Sequence, residues 1–292
     1  MDHDGDGIDD IVSGSYDPGD LWLFRGLGKG QYEKGRVLVD ENDVALVHHP
    51  VELVKYHELK TKDGGEEGDA TIQARVASFG SWPAPVDWDA DGDLDMLIGS
   101  FGGRIYLRTN IGTRKEPKYS GTSTEIGVTV AHHAAPVVAD WDGDGTWDLV
   151  VGAADGNVTW FRNTGATGKP AFGKGQTLVA AKAPDKFLRQ YLAAGQPAAP
   201  GVRAQICVAD YDLDGKLDLL VGDFCDVKVL RPDLSPAEKT ELDRLAAIER
   251  ELAVDREKNT DAVAEIAKKR ARFLTGEDVR RSHVWLYRRI GI

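Results

Sequence analysis

One nine-residue pattern, D-x-D-x-D-G-x-x-D, occurs four times: DHDGDGIDD at 2–10, DWDADGDLD at 87–95, DWDGDGTWD at 140–148 and DYDLDGKLD at 210–218. Carboxylates at positions 1, 3, 5 and 9, with a glycine at position 6 free to take a positive φ, can turn several hard oxygens onto one cation. Zinc would call for Cys or His, and magnesium keeps more water and takes fewer carboxylates, so the donor set favours calcium. An EF-hand loop needs a glutamate at position 12 and a helix on either side. Position 12 here is Ser13, Ile98, Val151 and Val221. Each loop runs instead into a short apolar stretch closing on glycine, IVSG, MLIG, LVVG and LLVG, of strand length and β-rich composition.

After each of these glycines the chain turns and extends again. The clearest case is Asp155-Gly156, a strong hairpin signal, followed by VTWFRN at 158–163. Similar strands stand at 21–25, 105–110 and 284–288, and entering strands precede three of the loops at about 83–86, 136–139 and 205–209. A weaker fourth strand follows, as at 32–39 or 172–179. Four-stranded antiparallel blades repeated in this way predict an all-β chain, a β-propeller with about four blades and therefore a partial one. His3, Trp88, Trp141 and Tyr211 share loop position 2 and are expected to pack between neighbouring blades; Trp22, Trp160 and Trp285 are expected in the core.

These residues resemble the FG-GAP and VCBS repeats of the integrin-α N-terminal-like β-propellers. The string D-x-D-x-D-G-x-x-D-[LIM]-x-x-G carries the likeness, which covers all but the segment near 232–282. By that resemblance Asp2, Asp4, Asp6 and Asp10 ligate one calcium with the carbonyl of Ile8, and Asp87, Asp89, Asp91 and Asp95 ligate a second with that of Asp93. Asp140, Asp142, Asp144 and Asp148 do so with Thr146, and Asp210, Asp212, Asp214 and Asp218 with Lys216. The side chains of Asp9 and Asp93 are expected to point to solvent.

Net charge is −12, from 36 Lys and Arg against 48 Asp and Glu, the wrong sign for a protein that grips phosphates. Cys207 and Cys225 are too few for a disulfide framework or a zinc cluster; one bridge between them is allowed but not required. No run reaches the roughly 20 apolar residues of a membrane span, and the start MDHDGDG lacks the features of a secretion signal. Extracellular calcium modules bind at about 10⁻⁴ to 10⁻³ M, so millimolar calcium adds about 0.4 to 1.4 kcal/mol per site. At cytosolic calcium such sites would stand empty, so an extracytoplasmic setting is expected, whether secreted, periplasmic or cell-surface. Because Asp2 is already loop position 1, the entering strand of the first blade lies outside this sequence. The chain is expected to be part of a longer one that carries the export signal and an unknown number of further blades.

Most helix-forming residues crowd into one late segment, so the rest is expected to be strands and tight turns. Domains are therefore placed at 1–231 for the blades, 232–282 for a helical-hairpin insertion and 283–292 for the closing strand. SPAE at 235–238 is a capping box with Pro at the first helical position, followed by Leu242, Leu245, Ile248 and Leu252 at helical spacing to about 257. Asn259-Thr260-Asp261 starts a second helix with Val263, Ile266 and Phe273, ending before Gly276. The doublets His48-His49 and His132-His133 stand out, and His133 occupies the place before blade three that Arg203 occupies before blade four. These two are candidate ligand-binding residues. No nucleophile elbow, phosphate loop or metal-activating His set accompanies them, so the expected function is a non-enzymatic calcium-binding module for protein or carbohydrate ligands. The alternatives are a polysaccharide lyase or hydrolase using His133 and Arg203, and a purely structural domain of a larger surface protein.

Overall fold

The computed structural model describes residues 1–62, 70, 79–181, 189–253 and 258–289. They fall into two compact units, Met1–Ala153 with Thr159–Leu178, and Ala154–Val158 with Val179–Ile292. The fold is mostly β, with four antiparallel blades of propeller type and three helices among the described residues.

The first sheet joins β1 (Ile11–Gly14), β2 (Leu21–Phe24) and, beyond a small ribbon of β3 (Gly26–Gly28) and β4 (Gln31–Tyr32), β5 (Arg36–Val37). Helix α1 (Pro50–Lys62) follows. The second sheet runs β6 (Ser81–Val86), β7 (Asp95–Ser100), β8 (Arg104–Arg108) and β9 (Thr124–Thr129), in chain order. The third runs β10 (Ala135–Ala139), β11 (Asp148–Gly152), β12 (Val158–Phe161) and β13 (Gln176–Val179), again in order. β7 and β11, which follow the second and third loops, are buried along their whole length, covered on both faces, which is why their apolar residues run on without alternating. In β7, Leu97 joins a core with Leu149, Val151 and Phe161 of blade three, while Met96 and Ile98 join Leu21, Leu23 and Tyr119 on the other side. The two-residue period of one strand thus serves two inter-blade cores.

At Gly14 and Gly99 the glycine closing the apolar stretch has a steric cause. A Cβ at Gly14 would lie 1.8 Å from the carbonyl oxygen of Ser81, and one at Gly99 would lie 2.0 Å from that of Ala134. The entering strand of the next blade passes directly over each glycine. The nearest such atom at Gly222 is 3.6 Å away.

The second unit contains β14 (Arg189–Leu192), β15 (Val202–Ala209), β16 (Asp218–Leu230) and β17 (Leu274–Tyr287), all bonded to β16. β15 and β17 run antiparallel to β16, while β14 runs parallel to its distal half. Between β16 and β17 lie α2 (Pro236–Ala253) and α3 (Thr260–Ala271). The capping box forms in both directions: Ser235 N–H donates to Glu238 Oε2 at 2.9 Å, and Glu238 N–H to Ser235 Oγ at 3.3 Å. Leu242, Leu245, Ile266 and Phe273 close the core of the helix pair. Arg270 is buried there, pairs with Glu249, and lies 3.4 Å from the centre of the Tyr191 ring.

Several expectations need correction. The 50–62 segment is helical, with Leu53 and Tyr56 on its buried face one turn apart, so helices are not confined to the late segment. The closing strand starts at Leu274 rather than 283, because β16 and β17 continue together beyond the blade as far as Leu230 opposite Leu274. Phe273 lies just past α3, and Gly276 lies inside β17 at φ +87°. Trp22 is 37% and Tyr211 60% exposed, so neither packs as expected. His3 and Trp88 do pack between blades, against Tyr119 and against Trp147 and Phe172 respectively. Cys207 and Cys225 are both free thiols. The residues placed at 254–257 of the first helix and at 290–292 of the last strand lie outside the described residues.

Candidate metal centres

Each loop bridges an entering strand, or the chain start, to the central strand of its blade, and its backbone is set by two left-handed residues. The glycine at position 6 has φ of +87°, +94°, +87° and +85° at Gly7, Gly92, Gly145 and Gly215. Position 4 is also left-handed, at Gly5, Ala90, Gly143 and Leu213, a conformation the loop imposes even on the two residues with a Cβ. These turns aim backbone N–H groups inward. The position-1 carboxylate accepts from the glycine at 6 in all four loops, at 3.3 Å for Asp2, 3.2 Å for Asp87, 2.9 Å for Asp140 and 3.0 Å for Asp210. The position-5 carboxylate accepts from position 7, as in Asp144 with Thr146 at 2.8 Å.

As a result, three carboxylates of every loop bring oxygens within 4.8 Å of one another. They are Asp2, Asp4 and Asp6; Asp87, Asp89 and Asp91; Asp140, Asp142 and Asp148; and Asp210, Asp212 and Asp218. Asp10 and Asp95 fall outside this tightest grouping in their loops, as do Asp144 and Asp214 in theirs. Oδ1 of Asp4 and Oδ1 of Asp87 are buried and take no hydrogen bond. Buried acceptors lacking donors, in a set of hard oxygens, are what a calcium ion would satisfy, so the residues fit that ion.

The position-9 aspartates have a second role that the spacing does not show. All four are buried, at 3%, 1%, 0% and 2% exposed for Asp10, Asp95, Asp148 and Asp218. In each, one oxygen accepts the N–H of the residue just past the outgoing strand: Gly26 at 2.7 Å, Asn110 at 2.7 Å, Asn163 at 2.7 Å and Arg289 at 2.8 Å. The other accepts the position-2 N–H in three loops, from His3, Trp88 and Tyr211, and the indole N–H of Trp160 in the third. This aspartate therefore locks its loop to the outgoing strand while keeping lone pairs for an ion. Burial pushes the carboxyl of Asp95 up to about 6 and raises that of Asp148.

Arginines complete the clusters, and their role was not read from the sequence. Arg25 holds Asp4 at 2.6 Å and Asp6 at 2.8 Å, Arg162 holds Asp142 at 2.7 Å and Asp144 at 2.9 Å, and Arg288 holds Asp212 at 3.0 Å. The Arg162 guanidinium keeps the Asp144 carboxyl below the usual range; at Asp4 burial pushes upward, but Arg25 wins and the carboxyl ends lower. Their signal was the recurrent ending LWLFR, VTWFR and VWLYR.

The two extra acids of the loops part company. Asp9, at position 8, is exposed and pairs with the N-terminal amine at 3.2 Å, as solvent exposure would have it. Asp93, at position 7 and expected in solvent, is instead only 5% exposed, with the Asn110 side chain against its carboxylate. Ile8, Thr146 and Lys216 carry the N–H groups already described for position 7.

His133 and Arg203 share a backbone state. Each is left-handed, at φ +51° and +57°, and each N–H donates to a carbonyl in the turn after a preceding central strand, Phe101 at 3.0 Å and Ala154 at 2.9 Å. The His133 ring is 5% exposed, stacked on Trp82 at 5.4 Å and beside Phe101 at 4.3 Å, which is a packing environment. The Arg203 guanidinium lies 5.5 Å from the Phe224 ring.

Residues 87–151 and 140–221 each match the family model of the FG-GAP-like repeat, from one loop through the central strand of the next blade. No curated protein matches the chain.

Proposed function

We propose, from the premise that the chain belongs to the FG-GAP-like repeat proteins, that it is a calcium-stabilised, non-enzymatic binding module. One observation carries this reading: four loops place three carboxylates each within 4.8 Å, at the same point of every blade. Repeated at one structural position, these clusters act as ties. The ion neutralises acids that would repel one another, and the position-9 aspartate passes the constraint to the outgoing strand. Rigid blades of this kind leave connecting loops free to carry recognition, and protein or carbohydrate is the ligand class proposed for them.

Calcium dependence of the proposed strength places the working module where calcium is millimolar, outside the cytoplasm. No helix among the described residues is long and apolar enough to cross a membrane. The aromatic stacking of His133 supports a structural duty for that residue rather than acid–base chemistry.

The test is direct metal analysis after dialysis against 1 mM calcium with magnesium in excess. The expected result is up to four calcium ions per chain, one for each cluster, with magnesium excluded. Asp142→Asn should lower the count by one. A chain that retains no calcium would overturn the reading.

A further inference from the structure

The four loops are alike in backbone and unlike in charge. The position-9 aspartate fixes Gly26, Asn110, Asn163 and Arg289 by their N–H groups, and so fixes the residue before each one beside the acidic cluster. In three blades that residue is Arg25, Arg162 or Arg288, each ion-paired to loop carboxylates. In the second blade it is Thr109.

The same loop differs again at position 7, where Asp93 replaces Ile8, Thr146 and Lys216. Asp93 is 5% exposed, and its Oδ1 takes no hydrogen bond. The Asn110 side-chain amide lies against its carboxylate, which stands outside the tight grouping of Asp87, Asp89 and Asp91 and adds a fifth negative charge beside it. Among the described residues, no Lys, Arg or His pairs with Asp87, Asp89, Asp91, Asp93 or Asp95. Five acids in one loop with no counter-cation among the described residues are a demand for positive charge.

We propose that the four loops are ranked calcium sites: the loop at 87–95 fills first, with Asp93 as a fifth negative charge beside its ligands and no counter-cation, while Arg25, Arg162 and Arg288 serve the other loops as built-in counter-ions. This rests on the calcium reading above. A cation entering those three loops meets a guanidinium already bonded to the carboxylates it needs, whereas in the second loop it meets only acceptors. Ligand charge count is the main control on affinity in calcium loops. Arginine also keeps three loops folded when calcium is low, and leaves the second blade as the part of the chain that responds to it.

Calorimetric titration of the chain with calcium tests this, alongside Asp93→Asn, Thr109→Arg and Arg162→Gln. Circular dichroism in chelator verifies that each variant is folded. The wild type should show one site at least about tenfold tighter than the rest. Asp93→Asn and Thr109→Arg should each merge that site with the weak ones, and Arg162→Gln should bring a second site toward it. Four sites of equal affinity, or a tight site untouched by both second-blade substitutions, would overturn the ranking and leave calcium binding intact. Absence of binding in every protein would remove the calcium reading and the ranking with it.

Discussion

At the scale of single residues, the repeat string is a record of distinct physical demands. The glycine at position 6 answers a φ requirement, while the glycine that closes the string answers a close approach of backbone. The second demand can be tested by comparing two positions that look identical in sequence. Gly99→Ala forces a Cβ to within 2.0 Å of the Ala134 carbonyl oxygen, whereas Gly222→Ala meets nothing nearer than 3.6 Å. Overpacking a tight site costs about 1 to 3 kcal/mol and sometimes more, so Gly99→Ala should lower the urea midpoint clearly and Gly222→Ala should leave it nearly unchanged. Equal effects would show that the entering strand does not press on Gly99. The aspartates at positions 1, 3, 5 and 9 were legible because spacing alone places them in one loop. The arginines were not, since nothing local says that the end of one strand returns to a loop 18 to 76 residues distant in sequence; only the bond from the position-9 aspartate makes that geometry explicit.

At the scale of elements, the blade strands were readable wherever an apolar stretch is bounded by a loop aspartate and a glycine. What escaped was set by tertiary contacts. Helix α1 has only two buried apolar positions to announce it, Leu53 and Tyr56, among many polar residues. The extension of β16 and β17 was hidden because β16 alternates buried and half-buried residues and β17 half-buried and exposed ones, diluting the apolar signal. The strongest unforeseen tie is Arg108 of β8. Its side chain is 0% exposed, donates to the carbonyls of Val47 and Ser120, and pairs with the buried Asp40 at 2.8 Å. It joins blade two to the segment that follows β5. Removing one partner of a buried pair strands the other charge, at a cost of about 3 to 5 kcal/mol. Arg108→Ala should therefore unfold at markedly lower denaturant than the wild type, and Arg108→Lys should recover little, since one ammonium cannot replace a fork with three acceptors. Near wild-type stability in Arg108→Ala would show that the pair carries no weight.

At the scale of the whole molecule, an acidic chain of −12 holds its blades together around clusters of like charge. Three clusters are partly offset by arginine and one is not, yet each of the four brings three carboxylates within 4.8 Å of one another. On the proposed calcium reading, that arrangement makes folding stability a function of calcium. Each filled site of the expected affinity adds about 0.4 to 1.4 kcal/mol at 1 mM calcium, a large share of the roughly 5 to 15 kcal/mol that holds an ordinary domain together. The most direct measurement is thermal unfolding of the chain in 1 mM calcium and in chelator at matched ionic strength, with magnesium as the control cation. The account predicts a melting temperature at least about 3 °C higher in calcium and no such rise in magnesium. A melting temperature that is the same in calcium, magnesium and chelator would mean that the four loops are turns and nothing more.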